Sequence, residues 1–365
     1  MSVLTSNVQP DKVLVAMSGG VDSAVAACLL KEQGYDCVGA TMRLLDDCIP
    51  VEGDSSCCSL DGVEDARSVA MRLGIPYHVF NLSGDFRREV IDRFVDAYRR
   101  GATPNPCIDC NRYLKFAALW DRAAVLGCGA VATGHYARIE RDEGGRYVLK
   151  KALDPSKDQS YVLYSLTQEQ LARTRFPLGG LSKAQTRRIA EEHGFLNAHK
   201  ADSQDICFVP DGDYAGFIER YTGAAAEAGD FVDERGAVLG RHGGLIRYTV
   251  GQHRGLGLSL PEKHYVCRLC PQNNTVVLGD NESLFRRDVR AEHFNWIAGE
   301  APAAPVRCRA KIRYRQTEQD ATVTPLGGGA AAILFDEPVR AVTPGQAAVL
   351  YDGDTVLGGG VIVDP

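Results

Sequence analysis

Short, almost wholly apolar runs recur through the first part of the chain and predict strands that are buried on both faces, as in a parallel sheet. They are KVLVAM (12–17), YDCVGATM (35–42), PYHVFNL (76–82) and AVATGHYARI (130–139), the last of which runs into a loop. Segments with helical spacing accompany these runs at 24–34, 63–74, 85–101 and 111–127. This βαβα order predicts a doubly wound parallel sheet, which binds ligands at the carboxyl ends of its strands.

The pattern changes twice further along the chain. Residues 160–200 have the spacing of helical hairpins, and after AAAEAG (224–229), the predicted linker, short strands alternate with Gly, Pro and Asn. From residue 285 to the end the pattern is all β, which predicts a small barrel. We therefore predict an α/β fold in three parts: a parallel-sheet domain with a helical extension, a small central β-rich domain, and a C-terminal β-barrel, at 1–212, 213–284 and 285–365.

Composition agrees with a multidomain globular protein. The chain has 365 residues, 45% of them hydrophobic, against roughly 100–200 residues per domain. The first residues lack the features of a signal peptide, and no run approaches the ~18 apolar residues of a membrane helix. We therefore expect a cytoplasmic protein without membrane contact, whose twelve cysteines are mostly reduced. Because the net charge is −6, a nucleic-acid site would have to be a local basic patch.

The turn after the first predicted strand, SGGVDS (18–23), has the composition of a phosphate-binding loop. Its two glycines let the backbone approach a ligand closely, and the amides that begin the next helix favour an anion. The hydroxyls of Ser18 and Ser23 add donors. The loop lacks the lysine of a Walker A loop, so it does not indicate lysine chemistry on the β- and γ-phosphates. An ordinary strand-to-helix turn with a serine cap is the alternative interpretation.

The stretch TPNPCIDCN (103–111) places Cys107 and Cys110 two residues apart. Such a pair can hold a metal, act as a redox dithiol or provide a nucleophile. A thioredoxin-like dithiol is disfavoured, because the pair does not follow the first strand of a βαβ unit. A zinc ribbon needs a second pair nearby, whereas Cys267-x-x-Cys270 is distant and lies in a strand-like segment. We interpret the remaining cysteines as core or loop thiols: Cys28, Cys37, Cys48, Cys57, Cys58, Cys128 and Cys308.

Two sets of motifs carry a resemblance to known families. SGGVDS resembles the signature loop of the pyrophosphatase-loop ATP-binding proteins, which cleave ATP to AMP and pyrophosphate and adenylate a substrate. The whole chain resembles the tRNA-specific 2-thiouridylases through TPNPCxxCN, GHYAR (134–138), KDQSYVL (157–163), DSQDICFV (202–209), YTVGQHRGL (248–256), RYRQ (313–316) and TPGQAAVLY (343–351). That resemblance implies an enzyme that adenylates the C2 oxygen of the wobble uridine (position 34) of tRNA and replaces it with sulfur.

The resemblance also implies cofactors, partners and binding residues. It implies ATP and magnesium, with Asp22 organising the magnesium, and the ATP-binding residues Ala16, Met17, Ser18, Gly19, Gly20, Val21, Asp22, Ser23, Met42 and Gly134. It implies tRNAs with Lys, Glu and Gln type anticodons, a sulfur-relay donor protein, and the tRNA or target-base residues Asn105, Pro106, Cys107, His135, Lys157, Asp158, Gln159, Arg313, Tyr314 and Gln346. A strand-end histidine satisfied by the backbone is the alternative interpretation of His135.

By the same resemblance, Cys110 is the catalytic nucleophile and Cys207 carries a persulfide received from the donor protein. A Cys110–Cys207 disulfide would then form during turnover. Members of the family carry either Asp or Cys at the position of Cys107. Because this chain has Cys there, the three thiols could instead hold a 4Fe-4S cluster with one iron left open. The persulfide route and the cluster route both remain open at this point.

The segment RCRAKIRYR (307–315) is the clearest basic feature. Every second residue is cationic: Arg307, Arg309, Lys311, Arg313 and Arg315. In one strand these five would share a face, with Cys308, Ala310, Ile312 and Tyr314 on the core side. Such a row could follow a phosphate backbone, and a solvated strand face is the alternative.

Two other functions explain parts of the sequence. Another pyrophosphatase-loop ligase or amidotransferase, acting on a small molecule, would account for the loop but has no need of the paired thiols or the basic barrel. A non-catalytic protein that binds RNA or a metal would account for those features but not for the loop.

Overall fold

The computed structural model of the chain describes residues 9–45, 49, 60–200 and 206–363. Several sequence-based expectations fall outside the described residues, namely those on residues 1–8, on Cys48, on Cys57 and Cys58, and on the first four letters of DSQDICFV (202–205).

The described strands, in chain order, are β1 (Gln9–Ala16), β2 (Asp36–Arg43), β3 (Tyr77–Asn81), β4 (Cys128–Ala132), β5 (Ala137–Arg141), β6 (Tyr147–Lys151), β7 (Thr174–Arg175), β8 (Gly229–Val232), β9 (Val238–His242), β10 (Tyr265–Cys270), β11 (Thr275–Gly279), β12 (Phe285–Trp296), β13 (Val306–Lys311), β14 (Gln319–Leu326), β15 (Ala330–Arg340), β16 (Ala347–Asp352) and β17 (Thr355–Val363). The described helices are α1 (Val21–Glu32), α2 (Leu60–Leu73), α3 (Ser83–Phe86), α4 (Asp92–Arg99), α5 (Pro106–Asp109), α6 (Leu119–Val125), α7 (Gln168–Ala172), α8 (Lys183–Glu192) and α9 (Tyr214–Thr222). π-Helical segments join α3 to α4 at Arg87–Ile91 and α5 to α6 at Cys110–Ala118.

The predicted parallel sheet is confirmed. Its strand order is β3-β2-β1-β4-β7, and each neighbouring pair is parallel. Val13 and Val15 of β1 pack in one apolar cluster with α1, whereas Leu14 packs in a second cluster with Leu119 of α6. Both faces of the strand are therefore buried, which explains why its sequence shows no polar alternation. The short edge strand β7 lies in a region for which the sequence predicted only helices.

The helix that carries the cysteine pair begins earlier than predicted. Its first residue is Pro106, and the side chain of Asn105 accepts a hydrogen bond of 3.1 Å from the amide of Cys107. Asn is a favoured cap and Pro a favoured first residue, because proline has no amide hydrogen to satisfy there. Cys107 and Cys110 consequently lie in the opening turns of the helical segment 106–125 and not in a loop before it.

The run AVATGHYARI does not form a single strand. β4 ends at Ala132, and β5 and β6 form a hairpin that leaves the parallel sheet. The hairpin instead joins the C-terminal sheet, where Lys150 pairs with Thr355 of β17. The loop between β4 and β5 therefore runs from the parallel sheet to the barrel, and it carries Gly134, His135 and Tyr136.

The other two predicted parts are β-rich, as expected. The central part is a four-stranded sheet with the order β10-β11-β8-β9. In the C-terminal part, β12-β15-β14-β13-β16-β17 are paired in that order, and a further pairing of β12 with β17 closes them into a six-stranded barrel. Among the described residues, no helix is long and apolar enough to cross a membrane.

Candidate active site

The loop at 18–23 is held in one conformation by its own hydrogen bonds. The amide of Ser18 donates to the Ser23 hydroxyl over 3.1 Å, and that hydroxyl donates to the Gly20 carbonyl over 3.0 Å. Gly20 is the N-cap of α1 and has no side chain to occupy the first-turn amides. A rigid loop that opens directly on a helix N-terminus is suited to binding phosphate.

Two glycines of the site are required by close approaches of the backbone. Gly19 has a φ of +77°, in the left-handed region, and a Cβ there would collide with the backbone of Gly62. A Cβ on Gly134 would lie 2.8 Å from the carbonyl carbon of Asp22 and from the amide nitrogen of Ser23. Gly134 therefore borders the loop at 18–23.

The predicted ATP-binding residues gather at one edge of the parallel sheet. The loop follows β1, Met42 lies near the carboxyl end of β2, and Gly134 follows β4. The amide of Met17 donates to the carbonyl of Ala40 over 2.8 Å, which ties the first of these strand ends to the second. Nucleotides bind at this edge in open parallel sheets. The predicted ATP-binding residues at the carboxyl ends of β1, β2 and β4 therefore lie where a nucleotide would bind in such a sheet.

Asp22 is the residue of the loop whose side chain bonds two residues from other parts of the chain. Its Oδ1 accepts a hydrogen bond of 2.7 Å from Nζ of Lys183 and one of 2.8 Å from the hydroxyl of Tyr136. The Tyr136 hydroxyl also lies 3.0 Å from Oγ1 of Thr186 in α8. The sequence analysis missed both partners of Asp22. Tyr136 lies inside the GHYAR motif, and Lys183 follows the capping-box serine of α8, but neither pattern reveals a contact with Asp22.

The two thiols assigned to catalysis meet in one apolar cluster. Cys110, 9% exposed, belongs to the cluster of Leu114 and Phe208, and the half-buried Cys207 packs against it. Met42 packs against the same cluster, so the strand end next to the nucleotide edge and the two thiols share one region. Cys107 is exposed at the start of the helix.

The predicted Cys110–Cys207 disulfide is not supported. No disulfide bond forms among the cysteines that the structure describes, even though Cys110 and Cys207 reach the same cluster. The interpretation of the core cysteines is confirmed for four of them, which are buried: Cys28, Cys37, Cys128 and Cys308. Burial raises the pKa of each of these four thiols to about 11, so they are poor nucleophiles.

Tyr314, in the turn after β13, contacts the segment that contains Asp158 and Tyr161. Its hydroxyl donates to the carbonyl of Asp158 over 3.2 Å, and its ring lies 5.8 Å from that of Tyr161. Burial raises the pKa of Tyr314, and the neighbouring negative charges of Asp158 and Cys107 raise it further. The residue remains 38% exposed. The structure thus joins Asp158 and Tyr314, two residues that the resemblance assigned to tRNA, and Cys107 lies near enough for its charge to affect the pKa of Tyr314.

The side chains of Asp158 and Gln159 point into the protein. Oδ1 of Asp158 accepts from the amide of Ala152 over 3.0 Å, and Oδ2 accepts from the Ser160 hydroxyl over 2.8 Å. Oε1 of Gln159 accepts from the amide of Tyr136 over 3.0 Å. Through Tyr136, this segment is linked to Asp22. Lys157 precedes it and is half-buried.

Gln346 and Arg313 make hydrogen bonds that connect separate segments of the chain. Nε2 of Gln346 donates to the carbonyl of Thr103 over 2.7 Å, three residues before Pro106. One guanidinium nitrogen of Arg313 donates to the carbonyl of Val250, to the carbonyl of Ala341 and to the hydroxyl of Thr343. The bond of Gln346 joins the barrel to the segment before Pro106, and the bond of Arg313 to Val250 joins the barrel to the central part.

His135 is a buried, neutral imidazole. Its Nδ1 lies 2.7 Å from Oγ1 of Thr133, and its ring packs 5.8 Å from that of Phe176 and 6.0 Å from that of Phe116. Burial lowers the pKa of His135 well below its ordinary value, and the charge of Lys115 lowers it further. Its hydrogen-bond partner is a side-chain hydroxyl and not the backbone group of the alternative interpretation.

Asp109, between the two cysteines, is a titratable residue that the sequence analysis did not single out. Burial raises the pKa of its carboxyl group to about 6, against the opposing effect of the charges of Arg93 and Arg112. A carboxyl group of this kind exchanges protons near neutral pH, one residue from Cys110. The one signal for Asp109 in the sequence is its position between Cys107 and Cys110 in TPNPCIDCN.

The prediction of a five-residue basic strand face is wrong. β13 ends at Lys311, and the residues that follow Ile312 form a turn, in which Tyr314 is exposed. Within the strand the predicted alternation does hold, with Arg307 and Arg309 exposed and Cys308 buried.

Carboxylates from β14, β15 and the turn before β14 neutralise the two exposed arginines. Both oxygens of Asp336 on β15 accept hydrogen bonds of 2.8 Å from Arg307. The guanidinium of Arg309 lies 3.7 Å from the carboxylate of Asp320 and 4.0 Å from that of Glu318. Two arginines can therefore share this strand without an external anion, because carboxylates of the same barrel pair with them. The sequence of β13 alone does not show these partners.

Three protein-family models match the chain in succession. The model described as the tRNA methyl transferase HUP domain matches residues 11–211, and the tRNA methyl transferase PRC-barrel domain matches residues 215–280. The aminomethyltransferase beta-barrel domain matches residues 286–362. The first model alone covers more than half of the chain.

Proteins of known activity resemble the chain over almost its full length. It is 50% identical over 352 residues to a tRNA-specific 2-thiouridylase, MnmA, of Clostridioides difficile (strain 630), which covers 96% of this chain and 98% of the relative. It is 52% identical over 357 residues to a protein of the same description from Symbiobacterium thermophilum, covering 96% of this chain and 92% of the relative. A third such protein, from Acetivibrio thermocellus, is 50% identical over 356 residues, covering 96% of this chain and 99% of the relative.

Proposed function

This chain belongs to the tRNA-specific 2-thiouridylase family, and we propose that Cys110 and Cys207 carry the sulfur chemistry of its reaction. The enzyme uses ATP to thiolate the wobble uridine of tRNA. Family membership sets aside the small-molecule ligase and the non-catalytic binding protein. The observation that carries the assignment of the thiols is their common cluster, in which Cys110 is buried and against which Cys207 packs.

The persulfide route assigns different tasks to the two thiols. Cys207 is the more exposed of them, which suits a group that must first receive sulfur from a donor protein. Cys110 is buried on the catalytic helix and acts as the nucleophile beside the activated uridine. A persulfide carries sulfur at a higher oxidation level than the sulfur of a thiouridine. In the transfer, the outer sulfur of the Cys207 persulfide bonds to C2 as AMP leaves. A thiolate then attacks the inner sulfur and breaks the S–S bond, and external thiols supply the two electrons as they are oxidised to a disulfide.

An iron–sulfur cluster is the second route. Cys107 and Cys110 are three residues apart in one helical segment, so their side chains leave the same face. Cys207 packs against the cluster that contains Cys110, and three thiols can hold a 4Fe-4S cluster with one iron open. When bound, the cluster would supply the sulfur atom as sulfide. This route needs all three thiols, so in it the exposed Cys107 becomes essential.

Anaerobic reconstitution with iron and sulfide distinguishes the two routes. If the persulfide route operates, as we expect, Cys107→Ala and Cys107→Asp keep close to the wild-type rate, because neither variant touches Cys110 or Cys207. The measurement is an iron count together with the thiolation rate of the same preparations. Loss of both iron and activity in Cys107→Ala, with ATP and tRNA binding intact, would instead establish the cluster.

Nucleotide and magnesium belong to the first of the three parts. The domain boundaries that we propose are 1–212 for ATP binding and catalysis, 213–284 for the central part and 285–365 for a tRNA-binding barrel. Asp22 opens α1 beside the phosphate loop, and its carboxylate is the group that would organise a magnesium ion. The position of the loop at 18–23 between the carboxyl end of β1 and the N-terminus of α1 supports this placement of the nucleotide.

The target base reaches the thiols beside Tyr314. A buried thiol cannot attack a stacked base, so the uridine must leave the anticodon stack. The exposed ring of Tyr314, next to Cys107, offers a surface on which such a base or its neighbour can stack. Asn105 and Pro106 border the same opening turn. The tRNA substrates proposed on the resemblance have Lys, Glu and Gln type anticodons.

Replacing Tyr314 should weaken tRNA binding more than replacing Arg307, one of the two exposed arginines of β13. We expect Tyr314→Ala to cost about 1–3 kcal/mol of tRNA affinity, the range for one stacked base, while Tyr314→Phe keeps the ring and most of the affinity. Arg307→Gln should leave the affinity and its salt dependence unchanged, because that guanidinium is already bound to Asp336. Binding of labelled tRNA over a range of salt concentrations measures both. A loss with Arg307→Gln that equals the loss with Tyr314→Ala would contradict the assignment.

A further inference from the structure

We propose that Lys183 is a catalytic residue of the ATP-cleaving step, in which it binds the phosphate oxygens that leave as pyrophosphate. The proposal rests on the assignment of the loop at 18–23 to ATP. It adds a residue that neither the loop motif nor the paired thiols indicate.

The position of Lys183 supports this role. Its Nζ lies 2.7 Å from Oδ1 of Asp22, in the first turn of α1, where phosphate is expected. The lysine side chain is only 12% exposed, so its charge acts in a partly desolvated place where electrostatic interactions are stronger than in water.

The lysine is held at this position by its own backbone. It is the first residue of α8, capped by Ser182 in a capping box with Gln185. Its amide also donates to the carboxylate of Asp154 over 3.2 Å. A residue fixed in this way can present its ammonium group without a large cost in conformational entropy.

The chemistry of the loop calls for a cation from elsewhere in the chain. The residues at 18–23 include neither lysine nor arginine. A Walker A loop carries its own lysine to the β- and γ-phosphates. In this protein, Lys183 of α8 takes the place of that lysine and contacts the phosphates. The sequence of the loop alone does not show this.

Lys183 could instead serve only to hold α8 against α1, but other contacts already do so. The hydroxyl of Tyr136 bonds Asp22 and lies 3.0 Å from Oγ1 of Thr186 in α8. Ala190 of α8 is fully buried in the same apolar cluster as Ala24 and Ala27 of α1. The two helices therefore remain joined when the lysine is replaced.

The step that Lys183 assists can be written in full. The C2 oxygen of the uridine forms a bond to the α-phosphorus of ATP, and the bond from that phosphorus to the oxygen bridging the β-phosphate breaks. The electron pair of the broken bond stays on the pyrophosphate, and the N3 proton of the uracil passes to solvent. The ammonium of Lys183 stabilises the negative charge that develops on the leaving pyrophosphate.

AMP provides the matched control ligand, because it lacks the two phosphates in question. For Lys183→Gln we expect affinity for ATP and for pyrophosphate to fall at least about 10-fold, a loss typical of a charge-assisted contact. Affinity for AMP should be unchanged. The tRNA-dependent exchange of pyrophosphate into ATP should slow by about 10²–10³-fold. Lys183→Arg keeps the charge and should recover part of each loss.

Lys200→Gln is the matched control variant, since that lysine is bound to Asp65 on an exposed surface. It should leave all three affinities at the wild-type level. An equal loss of AMP and ATP affinity in Lys183→Gln would overturn the proposal and leave a purely structural role. Unchanged pyrophosphate affinity would overturn it as well. The affinities for ATP, pyrophosphate and AMP are measured without tRNA. They therefore test Lys183 independently of whether Cys110 and Cys207 carry the sulfur.

Discussion

Cys110→Ala should abolish tRNA thiolation, with a rate lower than that of the wild-type enzyme by about 10³-fold or more, as when an essential nucleophile is removed. Binding of ATP and of tRNA should remain near wild type, because Cys110 belongs neither to the loop at 18–23 nor to the exposed surface around Tyr314. The measurement is the single-turnover rate of thiouridine formation, together with the two affinities.

Two controls separate chemistry from packing in this experiment. Cys110→Ser keeps nearly the same volume in the apolar cluster and should be as inactive as Cys110→Ala. Cys270→Ala removes another half-buried thiol, in the central part, and should be fully active. Substantial thiolation by Cys110→Ser would contradict the assignment of Cys110 as the nucleophile.

Gly134→Ala should prevent ATP from being used. The added methyl group would lie 2.8 Å from backbone atoms of Asp22 and Ser23, so the phosphate loop and the strand end must move apart. A displacement of ~1 Å in a catalytic site can cost 10²-fold in rate, and we expect at least that loss in the exchange of pyrophosphate into ATP. Affinity for tRNA should change little, since the exposed surface around Tyr314 lies on the barrel.

Gly180→Ala is the matched control for this substitution. Nothing lies within 4 Å of a Cβ built at Gly180, so the same chemical change is accommodated there. Its exchange rate should equal that of the wild-type enzyme. If Gly134→Ala retained the wild-type exchange rate while folding normally, the nucleotide would have to bind elsewhere.

Local patterns predicted the parallel sheet and the strand–loop–helix unit at 12–34. Both faces of β1 are buried, so its sequence is continuously apolar, and a strand–glycine loop–helix unit is a local structure. The start of the catalytic helix was missed, although Asn105 and Pro106 are a readable cap. The two-residue strand β7 was missed because it is too short to show a periodicity.

Contacts between distant segments could not be predicted in this way. Lys183 reaches Asp22 only because α8 packs on α1, and Tyr314 reaches Asp158, 156 residues away in the chain, only because the two segments pack together in the fold. The basic row failed for a related reason. Arg307 and Arg309 form ion pairs with carboxylates from other segments of the barrel. The sequence of one strand does not show which segments lie beside it.

Nucleoside mass analysis of tRNA tests the central claim most directly. Unmodified tRNA is incubated anaerobically with ATP, a persulfide donor and either the wild-type enzyme, Cys110→Ser or Cys207→Ser, then digested to nucleosides. We predict 2-thiouridine from the wobble position with the wild-type enzyme, none when AMP replaces ATP, and none with either variant. Equal amounts of 2-thiouridine from the wild-type enzyme and from both variants would contradict the account.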